Sequence, residues 1–291
     1  MKHELTMSPT GRMNEFEIII NKKVFPLKNQ SKEGKNLIFK DLKFTIKKGQ
    51  FLSLFGPSGC GKTTLLNIIS GLDEDYNGHI QPWAKTFQKA NKEIISQKYS
   101  FSNISYMFQS PRLFPWLTAI ENIKYPIRKQ KNAEKVANNL LKKVGLEKYK
   151  NQYTNRLSGG MQRRVAMARA FAPNPNILLL DEPFISLDKK ISNSLRKLLI
   201  QLWKKNKPII IFVTHDLDEA IELADRIFFL SSLPSKILLD YKINLGRPRN
   251  RNNKGFLSLK RLLSSATKNK YWKLWYKSIR AMKIKGKIWF K

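Results

Sequence analysis

An eight-residue run constrains the fold of this chain more than any other feature of its sequence. Residues 56–63 read Gly-Pro-Ser-Gly-Cys-Gly-Lys-Thr, which is the pattern G-x-x-x-x-G-K-[ST] of a phosphate-binding loop. Such a loop joins a strand to a helix, and the flanking residues fit both. Phe51–Phe55 is apolar and aromatic, and Lys62–Ser70 carries apolar side chains on one helical face. The sequence therefore predicts an α/β fold that binds a nucleoside triphosphate.

The loop supplies most of the predicted nucleotide contacts. Its glycines let backbone N–H groups approach the phosphates, and the helix that follows adds its N-terminal dipole. Lys62 is expected to meet the β- and γ-phosphates, and Thr63 is expected to ligate Mg²⁺. A flexible glycine turn would not account for Lys62. The expected ligand is ATP or GTP with Mg²⁺, bound by Gly56, Pro57, Ser58, Gly59, Cys60, Gly61, Lys62, Thr63 and Thr64.

A second motif follows the apolar run at residues 177–180, where Asp181 and Glu182 end a predicted buried strand. In a doubly wound sheet, ligands bind at the carboxyl ends of the strands. We expect Asp181 to hold the metal and Glu182 to polarise the attacking water, because phosphoryl transfer depends mainly on positioning and charge stabilisation. A strand that ends in Asp-Glu-Pro is by itself more often a turn. Its combination with the phosphate loop favours a catalytic role.

Apolar periodicity predicts alternating strands and helices along much of the chain. Between residues 81 and about 138 the pattern predicts a mostly helical insertion. The βα order elsewhere indicates a largely parallel sheet covered on both faces. Further strands are predicted at 16–20, 44–46 and 209–213, and further helices at 133–144, 160–171, 191–204 and 217–224.

Taken with these two motifs, the sequence Leu-Ser-Gly-Gly-Met-Gln at residues 157–162 resembles the signature of the ATP-binding cassette (ABC) family. The resemblance implies an ABC-type nucleotide-binding domain with a mostly parallel core sheet around the phosphate loop, an antiparallel β subdomain and a helical subdomain. It also implies that Ser158, Gly159 and Gly160 bind the γ-phosphate held by the opposite subunit, so that catalysis requires a homodimer. A serine that caps a helix is compatible with this role.

Further positions match the family pattern. Gln109 resembles the Q-loop glutamine, which senses the metal and links to the membrane partner, and Asp188 lies in a match to the D-loop. His215 resembles the switch histidine that contacts the γ-phosphate; a lone histidine is usually structural, but this one follows a predicted strand. Phe25 is the candidate for the ring that stacks on adenine. The resemblance thus assigns catalysis to Lys62, Gln109, Glu182 and His215, and metal binding to Thr63, Gln109 and Asp181.

Several softer features of the sequence are short segments: the run Leu-Phe-Pro-Trp-Leu-Thr at 113–118, Asp-Glu-Pro-Phe at 181–184, Leu202-Trp203, Asp225-Arg226-Ile227 and Arg247-Pro248-Arg249. Together they resemble the nitrate/sulfonate/taurine-type importer ATPases. The resemblance implies an ATPase at the cytoplasmic face of the inner membrane, bound peripherally to integral-membrane permease subunits that receive solute from a periplasmic or extracellular binding protein. The order Gln162-Arg163-Arg164 and the bulky Ile185 depart from the usual pattern, but neither removes a catalytic group.

The net charge of +34 raises an alternative function, because strongly basic proteins often bind nucleic acid or anionic membranes. Part of this charge reflects a composition rich in Lys and Asn along the whole chain. An ABC ATPase that acts on nucleic acid is the alternative, but such proteins usually carry long coiled-coil inserts or twin cassettes, and the sequence shows neither. A kinase or GTPase would leave residues 157–162 unexplained. Nucleic acid is therefore not an expected partner.

The predicted organisation is an N-terminal extension at 1–15, an ABC ATPase domain at 16–250 with its helical subdomain at about 110–165, and a basic, aromatic C-terminal extension at 251–291. The final 51 residues carry sixteen Lys or Arg and no Asp or Glu. Apolar residues at helical spacing around 272–282 predict an amphipathic helix. Membrane contact, packing on a partner and a disordered end remain open for it.

The sequence also predicts where the protein resides. No apolar run approaches the roughly 20 residues that span a bilayer, and the first fifteen residues have no apolar core typical of a secretory signal. The single cysteine, Cys60, excludes an internal disulfide and suits a reducing compartment. We therefore expect a cytosolic protein.

Overall fold

The computed structural model describes residues 15–26, 35–81 and 103–268. Their strands form one antiparallel sheet and one mostly parallel sheet, with helices on the parallel one. The strands are β1 (Glu15–Pro26), β2 (Lys35–Lys47), β3 (Phe51–Phe55), β4 (Asn77–Gln81), β5 (Ile104–Met107), β6 (Ile177–Asp181), β7 (Ile209–Thr214), β8 (Arg226–Leu230) and β9 (Ile237–Lys242). The helices are α1 (Lys62–Ser70), α2 (Ala119–Lys124), α3 (Ala133–Lys143), α4 (Gly159–Phe171), α5 (Lys189–Asn206), α6 (Leu217–Leu223) and α7 (Lys254–Lys268).

The core sheet has the strand order β5-β6-β7-β3-β8-β9, and β9 alone runs antiparallel to its neighbour. Every residue of β6 and β7 is buried. Continuous apolar runs of this kind are typical of parallel strands covered on both faces. The parallel register brings the carboxyl ends of β3, β6 and β7 to one edge of the sheet, and the predicted motifs follow these strands.

The antiparallel sheet has the order β2-β1-β4. Phe16, Ile18 and Ile20 alternate with more exposed residues along β1, which places them on the buried face. They share a hydrophobic cluster with Leu54 of β3. At Gly78 in β4, an added Cβ would lie 2.2 Å from the Ile19 carbonyl oxygen, so only glycine allows β1 and β4 to approach so closely.

The predicted helical region contains α2, α3 and the start of α4. Helix α2 begins with a capping box between Thr118 and Glu121. The side chain of Asn122 is fully buried, and it bonds the backbone of Phe114, Leu117 and Thr118. This amide therefore fixes the loop that leads into the helical region, since its polar atoms are satisfied by the loop backbone.

Most predicted elements are present, but the mostly helical insertion from residue 81 is wrong at β5, a strand that pairs with β6 and with no other strand of the described residues. Strand β5 has only four residues, and three of them are partly exposed because an edge strand is only partly covered. The sequence therefore shows no apolar run there. The sequence also missed β4, β8, β9 and α7. The amphipathic helix predicted around 272–282 lies outside the described residues.

Helix α7 packs on the ATPase core beyond the domain boundary predicted at residue 250. Phe256, Leu259 and Leu263 are buried in the main hydrophobic cluster. Arg251 bonds Glu222 of α6 at 2.8 Å. The packed region thus continues past that boundary. Among the described residues, no helix is both long enough and apolar enough to cross a bilayer.

Candidate nucleotide-binding and catalytic site

The phosphate loop connects β3 to α1 and requires glycine at its last turn. Gly61 has a φ of 94°, and an added Cβ would lie 2.8 Å from Ile38 and 3.0 Å from Phe39. Gly59 also has a positive φ, of 76°, but an added Cβ there would meet nothing within 4 Å. The loop therefore rests on β2 at one end and leaves open space above Gly59, as a loop that accepts a phosphate group must.

Lys62 is buried, and its ammonium group lies inside the loop. Its Nζ donates to the carbonyl oxygens of Gly56 at 2.9 Å and Pro57 at 2.7 Å. The Cys60 sulfur lies 3.8 Å away and is at most a weak acceptor. An ammonium has three N–H donors, so this arrangement leaves one of them for a stronger acceptor such as a phosphate oxygen.

Thr63 and Asp181 bring two oxygen ligands together. The Thr63 hydroxyl donates to Asp181 Oδ2 at 3.0 Å. Burial raises the pKa of Asp181, while the Thr63 hydrogen bond and the nearby Lys62 charge oppose this shift. Within the described parts of the chain, no group of three or more His, Cys, Asp or Glu side chains could hold a metal. The pair fits Mg²⁺, which typically binds one or two protein oxygens together with substrate phosphates and water.

Tyr106 lies next to this pair and was not identified from the sequence. Its hydroxyl donates to Asn67 Oδ1 at 3.2 Å. Burial, followed by the negative charge of Asp181, raises the pKa of Tyr106 well above its ordinary value, so the phenol stays neutral. A cleft of about 580 Å³ is lined by Thr63, Tyr106, Gln109 and Asp181 among others.

Glu182 lies between two other predicted catalytic residues. Gln109 Nε2 is 3.4 Å from Glu182 Oε2, and His215 Nδ1 is 3.5 Å from Glu182 Oε1. Glu182 has a φ of 44°, a strained conformation for a residue other than glycine, and its N–H bonds the Val213 carbonyl at 3.1 Å. Residues that follow β5, β6 and β7 thus converge on one carboxylate.

The turn that carries His215 is fixed by a second buried carboxylate, which the sequence analysis missed. The Thr214 hydroxyl donates to Glu219 at 2.7 Å and accepts the Asp216 N–H at 3.0 Å. Glu219 also pairs with Arg196 of α5 at 3.3 Å. This network contributes to the lining of a cleft of about 450 Å³ that also includes Glu182. No periodicity of the sequence reports such contacts between α5 and α6.

The signature residues lie at the start of α4 and do not belong to the phosphate loop. Ser158 is the N-cap, and its hydroxyl accepts the Met161 N–H at 3.3 Å. Gly160 faces α5, because an added Cβ would lie 3.0 Å from Ile191. Asp188 caps α5 through the Ile191 N–H at 2.8 Å. The roles of Ser158, Gly159, Gly160 and Asp188 toward a nucleotide of the opposite subunit remain predictions.

Helix α4 is tied to the loop after Glu182. Arg163 is buried and donates to the carbonyl oxygens of Pro183 at 3.1 Å and Ile185 at 3.0 Å. The side chain of Gln162 caps the preceding turn through the carbonyls of Thr154 and Leu157. Arg163 therefore links α4 to the loop that follows β6, whereas Gln162 stabilises the turn before α4.

Phe25 is the residue before the last in β1, and it is 40% exposed. Its Cα pairs with Asn36 of β2, two residues before Ile38, which lies against Gly61 of the phosphate loop. Phe25 therefore pairs with the same strand that contacts the phosphate loop. Its role in stacking on a base remains a prediction.

Known proteins share the sequence of this chain over most of its length. The family model described as ABC transporter matches residues 39–185. The chain is 39% identical to the aliphatic sulfonates import ATP-binding protein SsuB of Bacillus cereus (strain ZK / E33L), over 77% of this chain and 86% of that protein. It is also 39% identical to SsuB of Bacillus subtilis (strain 168), over 80% of this chain and 89% of that protein.

Solved structures show the same fold. A dimeric structure of the ATP-binding cassette MJ0796 in a post-hydrolysis state, bound to ADP and Pi, has a TM-score of 0.61 and 31% identity. It is matched over 77% of this chain and 100% of that chain. A second dimeric structure of MJ0796, described as a bacterial ABC transporter cassette, has a TM-score of 0.64 over 79% of this chain and all of that chain.

Proposed function

The chain belongs to the ABC transporter family, and we propose that it is the ATP-hydrolysing subunit of an import system for sulfonates or related oxyanions. The relatives named for the import of aliphatic sulfonates support the solute class. The dimeric neighbours support a homodimer. In this proposal the dimer attaches to permease subunits at the cytoplasmic face of the membrane, and a solute-binding protein delivers the cargo to the permease.

One observation carries the enzymatic part of this proposal. Three groups meet at the carboxyl edge of the mostly parallel sheet. They are Lys62, the Thr63–Asp181 pair, and the Glu182 carboxylate with its two neighbours. Phosphoryl transfer needs phosphate binding, a metal site and a residue that orients water, and these three needs are met by adjacent residues. A structural glycine turn would require none of them.

The residues divide the chemistry among themselves. Lys62 and the loop N–H groups bind the phosphates, and Thr63 and Asp181 would hold Mg²⁺, which neutralises charge on the phosphate oxygens. Glu182 orients a water molecule and accepts its proton at a carboxylate oxygen. Gln109 and His215 hold the two oxygens of that carboxylate in place.

A dimer completes the site in this proposal. Ser158, Gly159 and Gly160 of one subunit would bind the γ-phosphate held by Lys62 of the other, because the N-terminus of α4 presents unpaired N–H donors and the positive end of the helix dipole. Closure of the two subunits on ATP would then move the attached permease. Hydrolysis would release them.

Transport by the reconstituted complex tests this function. The protein, its co-purified permease and the solute-binding protein are placed in proteoliposomes with MgATP, and uptake of labelled alkanesulfonate, taurine and nitrate is compared. We expect ATP-dependent accumulation of at least one of these oxyanions, and none with the Glu182→Gln subunit. ATP hydrolysis stimulated by DNA, without any uptake, would contradict the proposal and favour the nucleic-acid alternative.

A further inference from the structure

Lys23 of β1 is a lysine whose ammonium group is buried. The residue is 2% exposed, although lysine is almost never fully buried unless its charge is paired. Its Nζ donates to Asp73 Oδ1 at 2.8 Å and to the Asp75 carbonyl at 2.6 Å, with Asp75 Oδ2 at 3.5 Å. Both acceptors lie in the segment after α1. The charge is therefore compensated by the part of the chain that continues from the phosphate-loop helix.

The same ammonium group lies against an exposed aromatic ring. Lys23 Nζ is 4.5 Å from the centroid of the Phe25 ring, within the range of a cation–π interaction. The register of β1 against β2 shifts between Lys23 and Val24. Such bulges re-aim side chains in antiparallel sheets. One face of the ring thus meets a fixed cation, while the residue as a whole remains 40% exposed.

The strand that pairs with Phe25 also contacts the phosphate loop. Phe25 pairs with Asn36, and the same strand continues to Ile38 and Phe39, which contact the position of Gly61. The residue that pairs with Phe25 is therefore two positions along β2 from the contact with Gly61. A base attached to phosphates held in the loop would lie on this side of the antiparallel sheet.

We propose that Lys23 is a positioning residue for the nucleotide base: it holds the Phe25 ring from one face so that the other face stacks on the purine. The inference rests on the proposed function, since it takes Phe25 as the stacking ring. An ion pair alone would tie β1 to the segment after α1 without any ring above it. The ring contact adds a function that acts on the base and not on the phosphates.

The proposal separates two parts of nucleotide affinity. The phosphate contacts belong to Lys62 and the loop, whose described hydrogen bonds do not include Lys23. Loss of the Lys23 charge should therefore weaken binding of ATP but not of inorganic tripolyphosphate, which has no base. A partly exposed cation–π contact corresponds to about a 3- to 10-fold change in affinity.

The first experiment compares Lys23→Met with the matched control Lys22→Met in the full-length protein, because Lys22 is exposed on the same strand. Dissociation constants for ATP and for tripolyphosphate are measured by calorimetry, and KM and kcat are measured with MgATP. We expect Lys23→Met to raise the ATP dissociation constant and KM about 3- to 10-fold, with tripolyphosphate binding and kcat unchanged. Equal changes for both ligands, or no change for either, would overturn the proposal.

A double-mutant cycle with Phe25→Ala shows whether Lys23 acts through the ring. We expect Lys23→Met to have no further effect on ATP affinity once Phe25 is alanine. Additive effects would overturn the positioning role. If Phe25→Ala alone leaves ATP affinity unchanged, the base-stacking assignment fails. If the wild-type protein does not hydrolyse MgATP, the proposed function itself fails.

Two further variants distinguish an effect on ATP affinity from a loss of fold stability. Lys23→Arg retains a cation beside the ring, and we expect it to bind ATP nearly as tightly as the wild-type protein. If Lys23→Met acted only through lost packing, a cation at this position would not restore the affinity. If Lys23→Met does not fold, the double variant Lys23→Gln with Asp73→Asn removes the charge and its main partner together. It is then measured with the same two ligands, and the same outcomes apply.

Discussion

His215 Nδ1 lies 3.5 Å from Glu182 Oε1, although the two residues follow different strands of the core sheet. Gln109 approaches the other oxygen of the same carboxylate at 3.4 Å. The side chain of Glu182 is largely covered, whereas that of His215 is 60% exposed. The carboxylate is therefore contacted from both sides, and most of the histidine side chain remains open to solvent.

This arrangement predicts that Glu182→Gln abolishes turnover while MgATP binding survives. Glutamine keeps the shape of the side chain and one oxygen that can accept the Gln109 N–H. It cannot accept a proton from water, and such a loss typically costs at least about 100-fold in rate. Steady-state hydrolysis and equilibrium binding of ATP are the two measurements. Glu147→Gln, at an exposed position, serves as the control. Wild-type turnover in Glu182→Gln would show that another group activates the water.

Two helix N-caps with a hydroxyl side chain, Ser158 and Thr118, allow a test of the role of the signature in the dimer. Ser158 caps α4 and Thr118 caps α2, so each alanine variant should lose about 1 kcal/mol of stability through its cap. In the Glu182→Gln background, Ser158→Ala should also abolish the dimer that MgATP induces, because in the proposed dimer the Ser158 hydroxyl would contact the opposite nucleotide. Thr118→Ala should not. Light scattering after size exclusion compares them, and equal dimerisation of both variants would refute the trans role.

The site residues that the sequence predicted are those carried by local patterns. The phosphate loop needs glycines and Lys62 within one short run, and the Asp181–Glu182 pair directly ends an apolar strand, so their spacing along the chain is enough to predict them. Tyr106 could not be predicted in this way. Its position beside Asp181 depends on β5 pairing with β6, and these strands are far apart in the sequence. Glu219 depends likewise on the packing of α5 against the turn after β7.

The fold shows the same division. Strands buried on both faces, such as β6 and β7, give continuous apolar runs, and the sequence predicts them. Strand β9 contains Asp240, Tyr241 and Lys242 and lies at the edge of the sheet, so its pattern is weak. Helix α7 was not predicted either, because its basic composition is similar to that of the residues that follow it in the sequence.

Three of the softer importer-type features meet in one cluster. The guanidinium of Arg247 lies 5.0 Å from the ring centroids of both Phe51 and Trp203. It pairs with Asp225 at 2.8 Å, and Asp225 also accepts the Phe51 N–H at 3.0 Å. The segment after β9 is thereby fixed to the start of β3 and to α5.

Removal of this guanidinium should destabilise the protein. We expect Arg247→Met to lower the free energy of unfolding by about 2 kcal/mol, because it leaves Asp225 without its main partner, although partial exposure reduces the effect. Arg247→Lys should lose part of this, since lysine keeps the charge but not the planar group between the rings. Urea unfolding gives the values, with the exposed Arg261→Met as control. A loss no larger than that of the control would contradict the structural role.

Glu219 gives a prediction for the pH dependence of stability. Burial raises its pKa above the ordinary value of 4.5, and the charge of Asp216 adds to this, whereas the Thr214 hydrogen bond and the charges of Arg196 and Arg251 oppose it. The native carboxyl therefore keeps its proton at pH values where the unfolded chain has already released it. The free energy of unfolding should fall as pH rises from 4.5 to the raised native value, by about 1.4 kcal/mol for each unit between the two.

Glu219→Gln removes this titration while it retains an oxygen for the Thr214 hydroxyl. The stability advantage of the wild-type protein over Glu219→Gln should therefore be greatest below pH 4.5, decline through the window, and become constant above it. Urea unfolding of both proteins over a series of pH values measures the difference. If that advantage instead grows as pH rises, the ion pair with Arg196 outweighs burial and the native pKa lies below 4.5. Glu219 would then act mainly as an anion that fixes α5 to the turn carrying His215.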